Sequence, residues 1–394
     1  MTTSMPPRRR VTMLVRNAFT NDTRVEREAQ TLADAGYEVT ILADASPGLP
    51  PREERPYALV RRIERRGPRI PGLRFVAHRW RLQRALQRAG GDILHAHDAD
   101  ALQVVGPVAA RRRVPFVYDS HELWLGRTAR GRSRLYDGLN RLYYHWVEWR
   151  YVPRASLVVV AAPGLGPELE RRYGVRDVRS VPNYPAETAE VPPRDLRDLP
   201  GGERIPGDAA IVLYIGAMLP HRGLEELVAA MADVPQAHLV CLGAGGAHGP
   251  AIAAAVSRHG LDDRTHLIPP VPSADVVPYA ASATVGVSII QPASLSYRLA
   301  LPNKLFQYMA AGLPVVASDV PDVRDVVVSS GAGLVVDPTD PLAVARAIRQ
   351  LLDEPVTARE MGAAGRRAVT DRYNWRTSAE ELLRGYASIV RAAG

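Results

Sequence analysis

The sequence predicts an α/β protein built as two doubly wound domains. Three observations predict it. The chain has 394 residues, too many for one ordinary core. Short β-rich apolar runs alternate with helical patterns, the signature of a parallel sheet wrapped by helices. A proline-dense stretch then intervenes, and the alternation restarts after it.

In the first half, Val11–Val15 and Glu38–Ala43 read as strands around a helix from Asp22 to Ala35. Asn21 or Asp22 can cap that helix and Gly36 can end it. Asp92–His95, Pro115–Tyr118 and Leu157–Ala161 read as further buried strands. Between residues 182 and 206 stand Pro182, Pro185, Pro192, Pro193, Pro200 and Pro206 among charged residues, which reads as a linker because proline lacks an amide donor. Beyond it, strands are expected at Ala210–Ile215, Ala237–Leu242, His266–Ile268, Thr284–Ile289, Pro314–Ser318 and Leu334–Val336. Helices fit between them at Gly223–Met231, Pro250–Arg258, Asn303–Ala311 and Leu342–Leu352. The expected division is residues 1–200, residues 201–375, and a C-terminal helix over 376–394 packing back on the first domain. Ligands of such folds bind at the carboxyl ends of the strands, here in a cleft between two facing sheets.

Composition narrows the function classes. A hydrophobic fraction of 46% excludes a disordered chain, and no apolar run approaches the roughly 18 residues of a membrane span. MTTSMPPRRR lacks the apolar core of a signal peptide, and a lone Cys241 supplies neither a disulfide nor a cysteine metal cluster. The chain reads as soluble and cytoplasmic. The net charge of +8 is uneven: residues 1–200 hold 34 Arg and 23 Asp/Glu (+11), and residues 201–394 hold 16 Arg/Lys and 19 Asp/Glu (−3). Forty-nine of the 50 basic residues are Arg, a compositional bias that explains excess arginine without explaining the asymmetry.

The most informative stretch is LPNKLFQYMAAGLPVVASDVPDVRD, Leu301–Asp325. Pro302 suits a helix start, and the amides of Asn303, Lys304 and Leu305 would then form an anion site at the helix N-terminus. Lys304, the only lysine, adds a compact charge, and Gln307 lies one turn along, in reach of a hydroxyl carried by that anion. The same spacing also fits a plain capped helix with a solvated lysine.

This segment resembles the nucleotide-sugar-binding region of family-4 retaining glycosyltransferases (glycosyl transferase group 1). Asp22–Ala43, HAHD (His95–Asp98), YDSHE (Tyr118–Glu122), Val181–Asn183, Leu213–Met231, Gly331–Ile348 and Tyr373–Trp375 resemble the same family in the same order. The resemblance implies the GT-B fold, two Rossmann-like domains facing a central cleft. It implies transfer of a sugar from a nucleoside-diphosphate sugar to an acceptor hydroxyl with retention of configuration, without a cofactor. Arg222 and Lys304 match residues that hold the donor diphosphate, with Gly216, Asn303 and Leu305 beside them. Gln307 matches the ribose position, and backbone near Val271 the base. Asp98, His121 and Glu122 match first-domain residues near the transferred sugar, and Asn17, Thr20 and Asn21 lie in the loop on the acceptor side.

Three departures stand out. RNAFTND, Arg16–Asp22, has no glycine where the family has a glycine-rich loop; Ala217 replaces an expected arginine; and Leu299 and Gln307 replace a pair of glutamates. Glutamine still makes hydrogen bonds, but leucine cannot bind a sugar hydroxyl. These departures support a second reading, a catalytically silent relative that binds a nucleotide sugar or a partner enzyme. The chemistry suits the residues that remain: two cations and a helix N-terminus stabilise the charge that grows on a departing diphosphate. No metal site is expected, since His95 and His97 point to one side of a strand end with Asp98 opposite.

Between Arg55 and Arg88 stand eleven arginines and one acid, Glu64, and Tyr136–Trp149 is rich in aromatics. Arginine beside Trp and Tyr suits an anionic membrane surface; a solvated basic face with inward aromatics fits equally. The acceptor is open: a glycan, a lipid-linked molecule or a natural-product aglycone. Nucleic acid is not an expected partner, because no recognised binding motif accompanies the basic residues.

Overall fold

The computed structural model describes residues 9–66, 70–124, 134–186, 192–243 and 245–393. They form two compact units, Met1–Asn183 with Ser378–Gly394, and Tyr184–Thr377.

The first unit runs β1 (Arg10–Leu14), α1 (Thr23–Asp34), β2 (Glu38–Asp44), β3 (Arg52–Arg55), β4 (Ala58–Ile63), α2 (Pro71–Ala89), β5 (Ile93–His97), α3 (Asp98–Arg112), β6 (Phe116–Ser120), α4 (Arg134–Tyr151), β7 (Leu157–Val160), α5 (Leu165–Tyr173) and β8 (Val178–Ser180). Its sheet has the order β3-β4-β2-β1-β5-β6-β7-β8, parallel throughout except for the β3–β4 hairpin. The chain leaves β1 towards β2 and returns through β5 on the other side, so the order reverses between β1 and β5. Loops from those strand ends diverge there and leave a crevice. Asp22, not Asn21, caps α1, accepting from the Val25 amide at 3.2 Å.

The β3–β4 hairpin was not expected from its sequence, since REER and ALVRRI are dominated by charge. Its charges are paired within the fold. Arg62 is buried, its guanidinium 2.7 Å from Glu53 and donating to the Ala18 and Pro50 carbonyls. Buried charge is tolerated when its donors are used up in this way.

The second unit runs β9 (Ala210–Ile215), α6 (Leu224–Met231), β10 (Ala237–Leu242), α7 (Gly249–Arg258), β11 (Thr265–Ile268), α8 (Val276–Ala280), β12 (Val285–Ser288), α9 (Leu295–Arg298), α10 (Asn303–Ala311), β13 (Val315–Ser318), α11 (Pro321–Ser330), β14 (Gly333–Val336), α12 (Pro341–Asp353) and α13 (Pro355–Asp371). The order β11-β10-β9-β12-β13-β14 is wholly parallel and reverses between β9 and β12. Counted from β9 it is 3-2-1-4-5-6, the dinucleotide-binding order. Strand residues alternate between two cores. Ile211, Leu213 and Ile215 meet α10 on one face, and Val212 and Tyr214 meet α6, α7 and α12 on the other.

Two boundary expectations are corrected. The units divide at Asn183/Tyr184 rather than at 200/201. The described residues 184–186 and 192–206 of the stretch read as a linker belong to the second unit: Tyr184, Leu196 and Ile205 are buried in its core, and the Leu196 amide donates to Ser282 Oγ at 3.1 Å. Its prolines mislead because proline marks the absence of a helix, not the absence of packing. The last helix, α14 (Trp375–Ala393), starts in the second unit and continues from Ser378 in the first. There Ser378 Oγ donates to the Pro182 carbonyl at 2.7 Å and Tyr386 is fully buried.

Because residues 192–206 pack into the second unit, Leu196→Ala destabilises that unit by about 3 kcal/mol, the usual cost of a buried leucine cavity. Denaturant unfolding followed through the isolated second transition measures it; a free linker would give no change.

Candidate functional site

Each sheet gathers its polar residues where its strand order reverses. In the first unit the groups come from the carboxyl ends of β5 and β6 and the first turns of α1. Asp119 Oδ2 accepts from Arg24 Nε at 2.8 Å and lies 3.0 Å from His97 Nδ1 and 2.9 Å from His121 Nε2. Arg24 Nη2 reaches Asp119 Oδ1 at 2.5 Å, Nη1 donates to the Val181 carbonyl at 2.5 Å, and Glu28 Oε1 lies 3.2 Å from Nη2. His95 stacks on His97 with ring centroids 4.3 Å apart and meets Tyr386 Oη of α14 at 2.8 Å.

The expected residues Asp98 and His121 meet at the exposed edge of this network. Asp98 Oδ1 accepts from the His121 amide at 2.9 Å, and Oδ2 lies 3.6 Å from His121 Nδ1. Asp98 takes a positive φ of 66°, a conformation aspartate tolerates better than most residues, and this turns its carboxylate to His121. Burial alone would lower the His121 pKa, but Asp98 and Asp119 outweigh it and raise the pKa to about 10, so the ring is a cation at neutral pH. Glu28 is pushed upward, first by burial and then by Asp119. Glu122 is half-buried just beyond His121, its carbonyl accepting from Ser120 Oγ at 3.1 Å.

On the acceptor side, Asn17 is spent within its own loop. Its Nδ2 donates to Asp22 at 2.7 Å and its Oδ1 accepts from the Phe19 amide at 2.8 Å. This asparagine turn fixes the loop that glycine shapes in the family. Thr20 and Asn21 stand exposed at its tip.

Glu28, His95, His97 and Asp119 each present a ligand atom within 4.8 Å of the others, a cluster that the sequence spacing did not reveal. Asp98 turns to His121 instead of joining it. Neither Glu28 oxygen, His95 Nε2 nor His97 Nε2 has a hydrogen-bond partner among the described residues. The cluster is a poor cation site all the same, because the Arg24 guanidinium already holds both Asp119 oxygens and faces Glu28.

In the second unit the groups lie beyond β9. Gly216 has φ 122°, and a side chain there would reach within 3.8 Å of Lys304 Nζ. Gly223, opening α6 with φ 74°, admits no side chain: a methyl would sit 1.8 Å from the Ile289 carbonyl oxygen. That close packing fixes Arg222, whose guanidinium stands 5.2 Å from the Tyr297 ring centroid. Lys304 Nζ stands 3.6 Å from the Tyr214 ring centroid. Burial, then the neighbouring Arg222, lowers the Lys304 pKa to about 7. Neither cation has an acidic partner within ion-pair distance among the described residues.

Pro302 and Asn303 start α10 as expected, with no side-chain cap. The Leu305 amide is a correction: it donates to the Pro302 carbonyl at 3.1 Å and is no anion donor, and its side chain is core. Gln307 is half-buried one turn beyond Lys304, and Val271 packs partly on the core after β11.

Sequence reading missed Arg24, Glu28, Asp119, Tyr214, Tyr297 and Tyr386 as site residues. Arg24 and Glu28 were detectable in principle, being charges four residues apart on the apolar face of an amphipathic helix. Nothing local marks Tyr386, which reaches His95 across 291 positions.

Residues 22–184 match the family model described as Glycosyltransferase Family 4, and residues 209–354 match that of Glycosyl transferases group 1. A D-inositol 3-phosphate glycosyltransferase of Corynebacterium diphtheriae is 26% identical over 308 residues, 74% of this chain and 69% of the relative. An alpha-maltose-1-phosphate synthase of Mycolicibacterium smegmatis is 30% identical over 270 residues, 62% of this chain and 66% of the relative. Among solved structures, sucrose-phosphate synthase from Thermosynechococcus elongatus superposes with a TM-score of 0.79 at 23% identity, covering 98% of this chain and all (100%) of that one. Anabaena HepE in complex with UDP-glucose gives 0.73 at 14% identity, covering 96% and 100%. Both neighbours have the fold of two α/β domains with parallel sheets found here.

Glu28 binds its proton more tightly folded than unfolded, so its stabilising contribution is complete at low pH and is lost as pH rises through its raised folded pKa. Glu28→Gln therefore unfolds near the wild-type temperature at about pH 5 and at a higher temperature than wild type at about pH 9. Thermal scans at the two pH values check the sign.

Proposed function

The chain belongs to the family-4, group 1 glycosyltransferases, and from that membership we propose that it transfers a sugar from a nucleoside-diphosphate sugar to an acceptor hydroxyl with retention of configuration. The observation that carries the donor half is the pair Arg222 and Lys304. Two cations without acidic partners among the described residues stand near the β9 switch point, and burial first, with repulsion from Arg222 adding to it, holds the Lys304 amine near neutrality. A diphosphate relieves that repulsion. It also places its growing charge, as the glycosidic bond to the leaving group breaks, where positive charge already stands. Preorganised charge of this kind serves the role a divalent ion would serve, so the proposed reaction needs no metal.

Gly216 allows the diphosphate to approach the backbone, Asn303 offers the first amide of α10, and Gln307 binds ribose hydroxyls as donor or acceptor. The base is proposed to lie against the chain near Val271. In the first unit, the His121 imidazolium and Asp98 are proposed to hold the transferred sugar through its hydroxyls, with Glu122 beside them. No nucleophile is assigned. The HepE neighbour, crystallised with UDP-glucose, supports a uridine nucleotide as the first donor to try. Leu299, Ala217 and Gln307 favour a second reading, a relative that binds the nucleotide sugar without transferring it.

Arg222→Ala and Lys304→Ala are each expected to lower turnover about 10²-fold or more, as loss of one preorganised transition-state contact does. Steady-state rates across a panel of nucleotide sugars measure this. Binding without transfer by any donor would establish the silent reading, and unchanged rates would remove the diphosphate site.

A pKa of about 7 in the free protein must rise when a diphosphate binds beside Lys304. Binding at about pH 8 therefore takes up a proton, and affinity weakens as pH climbs above neutrality. Calorimetry in two buffers of different ionisation enthalpy detects the uptake, which Lys304→Ala abolishes.

A further inference from the structure

We propose that the outward faces of α2 and α4 together form a docking surface for an anionic lipid bilayer. Of the fifteen large apolar side chains exposed among the described residues, ten lie between Ile70 and Trp149. They are ordered as stripes. Leu73, Val76 and Trp80 are spaced three and four residues apart on α2, and Leu139, Trp146 and Trp149 seven and three apart on α4. Each set therefore lies along one side of its helix. Trp80, Trp146 and Trp149 are 50%, 48% and 59% exposed, so three of the five tryptophans in the chain face outward.

These stripes are second apolar faces. The inner sides of both helices are already anchored. On α4, Glu148 accepts from Tyr118 Oη at 2.8 Å and Tyr173 Oη at 3.0 Å, and Val147 is fully buried. On α2, His78 lies 2.8 Å from Asp44, with Leu82 and Leu86 buried behind it. Both helices pack on α3, and their side chains meet: Arg79 donates to Tyr143 Oη at 3.2 Å and Phe75 meets the Tyr143 ring edge-on at 5.9 Å. The stripes thus share one surface of the first unit.

Charge selects the occupant. The helix α2 carries five arginines and no acid, and Arg84 stands 3.5 Å over the Trp80 ring. A second copy of the chain would bring arginines against arginines. A bilayer of anionic lipid takes the tryptophans and leucines into its headgroup boundary and the guanidiniums onto its phosphates. Large apolar side chains gathered in two stripes on one surface mark an interaction site.

The surface is independent of the sugar chemistry, so it is tested by sedimentation of the full chain with vesicles, with no substrate present. Vesicles of phosphatidylcholine with about one third phosphatidylglycerol are expected to carry the protein down at about 0.1 M salt, and phosphatidylcholine alone is not. Raising salt to about 0.5 M weakens the binding. Trp146→Ser with Trp149→Ser lowers the partition coefficient roughly tenfold or more, as does Arg84→Glu with Arg88→Glu, while Leu342→Ser on α12 leaves it unchanged. Circular dichroism verifies that each variant is folded, and the two pairs are independent should one fail to fold. Equal binding to neutral and anionic vesicles, or full binding by both folded pairs, overturns the proposal. So does a wild-type dimer that the tryptophan pair converts to monomer while vesicles stay unbound.

Discussion

One buried ion pair organises the first unit. Arg24 and Asp119 come from the first turn of α1 and the end of β6, and neither is reached by water. Asp119 also meets two histidines, and Arg24 also donates to the Val181 carbonyl just after β8. Removing either partner would strand the other charge inside the protein, a cost of several kcal/mol, so each fixes the other's position. His121 takes its orientation and its positive charge from Asp119 and from Asp98, against the repulsion of Arg24. Tyr386 extends the same network to α14, binding the C-terminal segment to the unit from which its chain had departed.

The second unit applies the opposite electrostatic rule. In the first, Arg24 and Asp119 neutralise each other; in the second, Arg222 and Lys304 stand without an acidic partner in ion-pair distance among the described residues. The difference follows from what surrounds them. Asp119 lies within the sheet, where an unpaired charge would be intolerable. Gly216 and the α10 N-terminus lie past the strand ends, outside the sheet.

The parallel architecture was legible in the sequence because the apolar runs and helix caps are local signals. β9, β10 and α10 have the bounds expected of them, and Gly312 ends α10 in the left-handed conformation, as its stop position required. The position of Lys304 at a helix start was legible from Pro302, and that of Arg222 before a helix from the family pattern. What failed depended on compensation at a distance. The β3–β4 hairpin reads as solvated charge until Arg62 meets Glu53 and two carbonyls. The proline stretch reads as a tether until Leu196 and Ile205 enter a core assembled from later strands. Leu305 is the local exception: it reads as an anion donor until its amide closes a turn on Pro302, three residues back.

The sequence by itself determined the fold class, the family and the asymmetry of charge between its two halves. Periodicity, caps and composition are properties of neighbours along the chain. The tertiary structure alone decided which charges are paired and which stand unpaired, because that depends on residues far apart in sequence. Arg24 reaches across 95 positions to Asp119, and His95 across 291 to Tyr386. It also decided which apolar residues stay outside. The tryptophans of α4 fit either an inward or an outward face in the sequence, and the packing of Tyr144, Val147 and Glu148 inward leaves Trp146 and Trp149 at the surface.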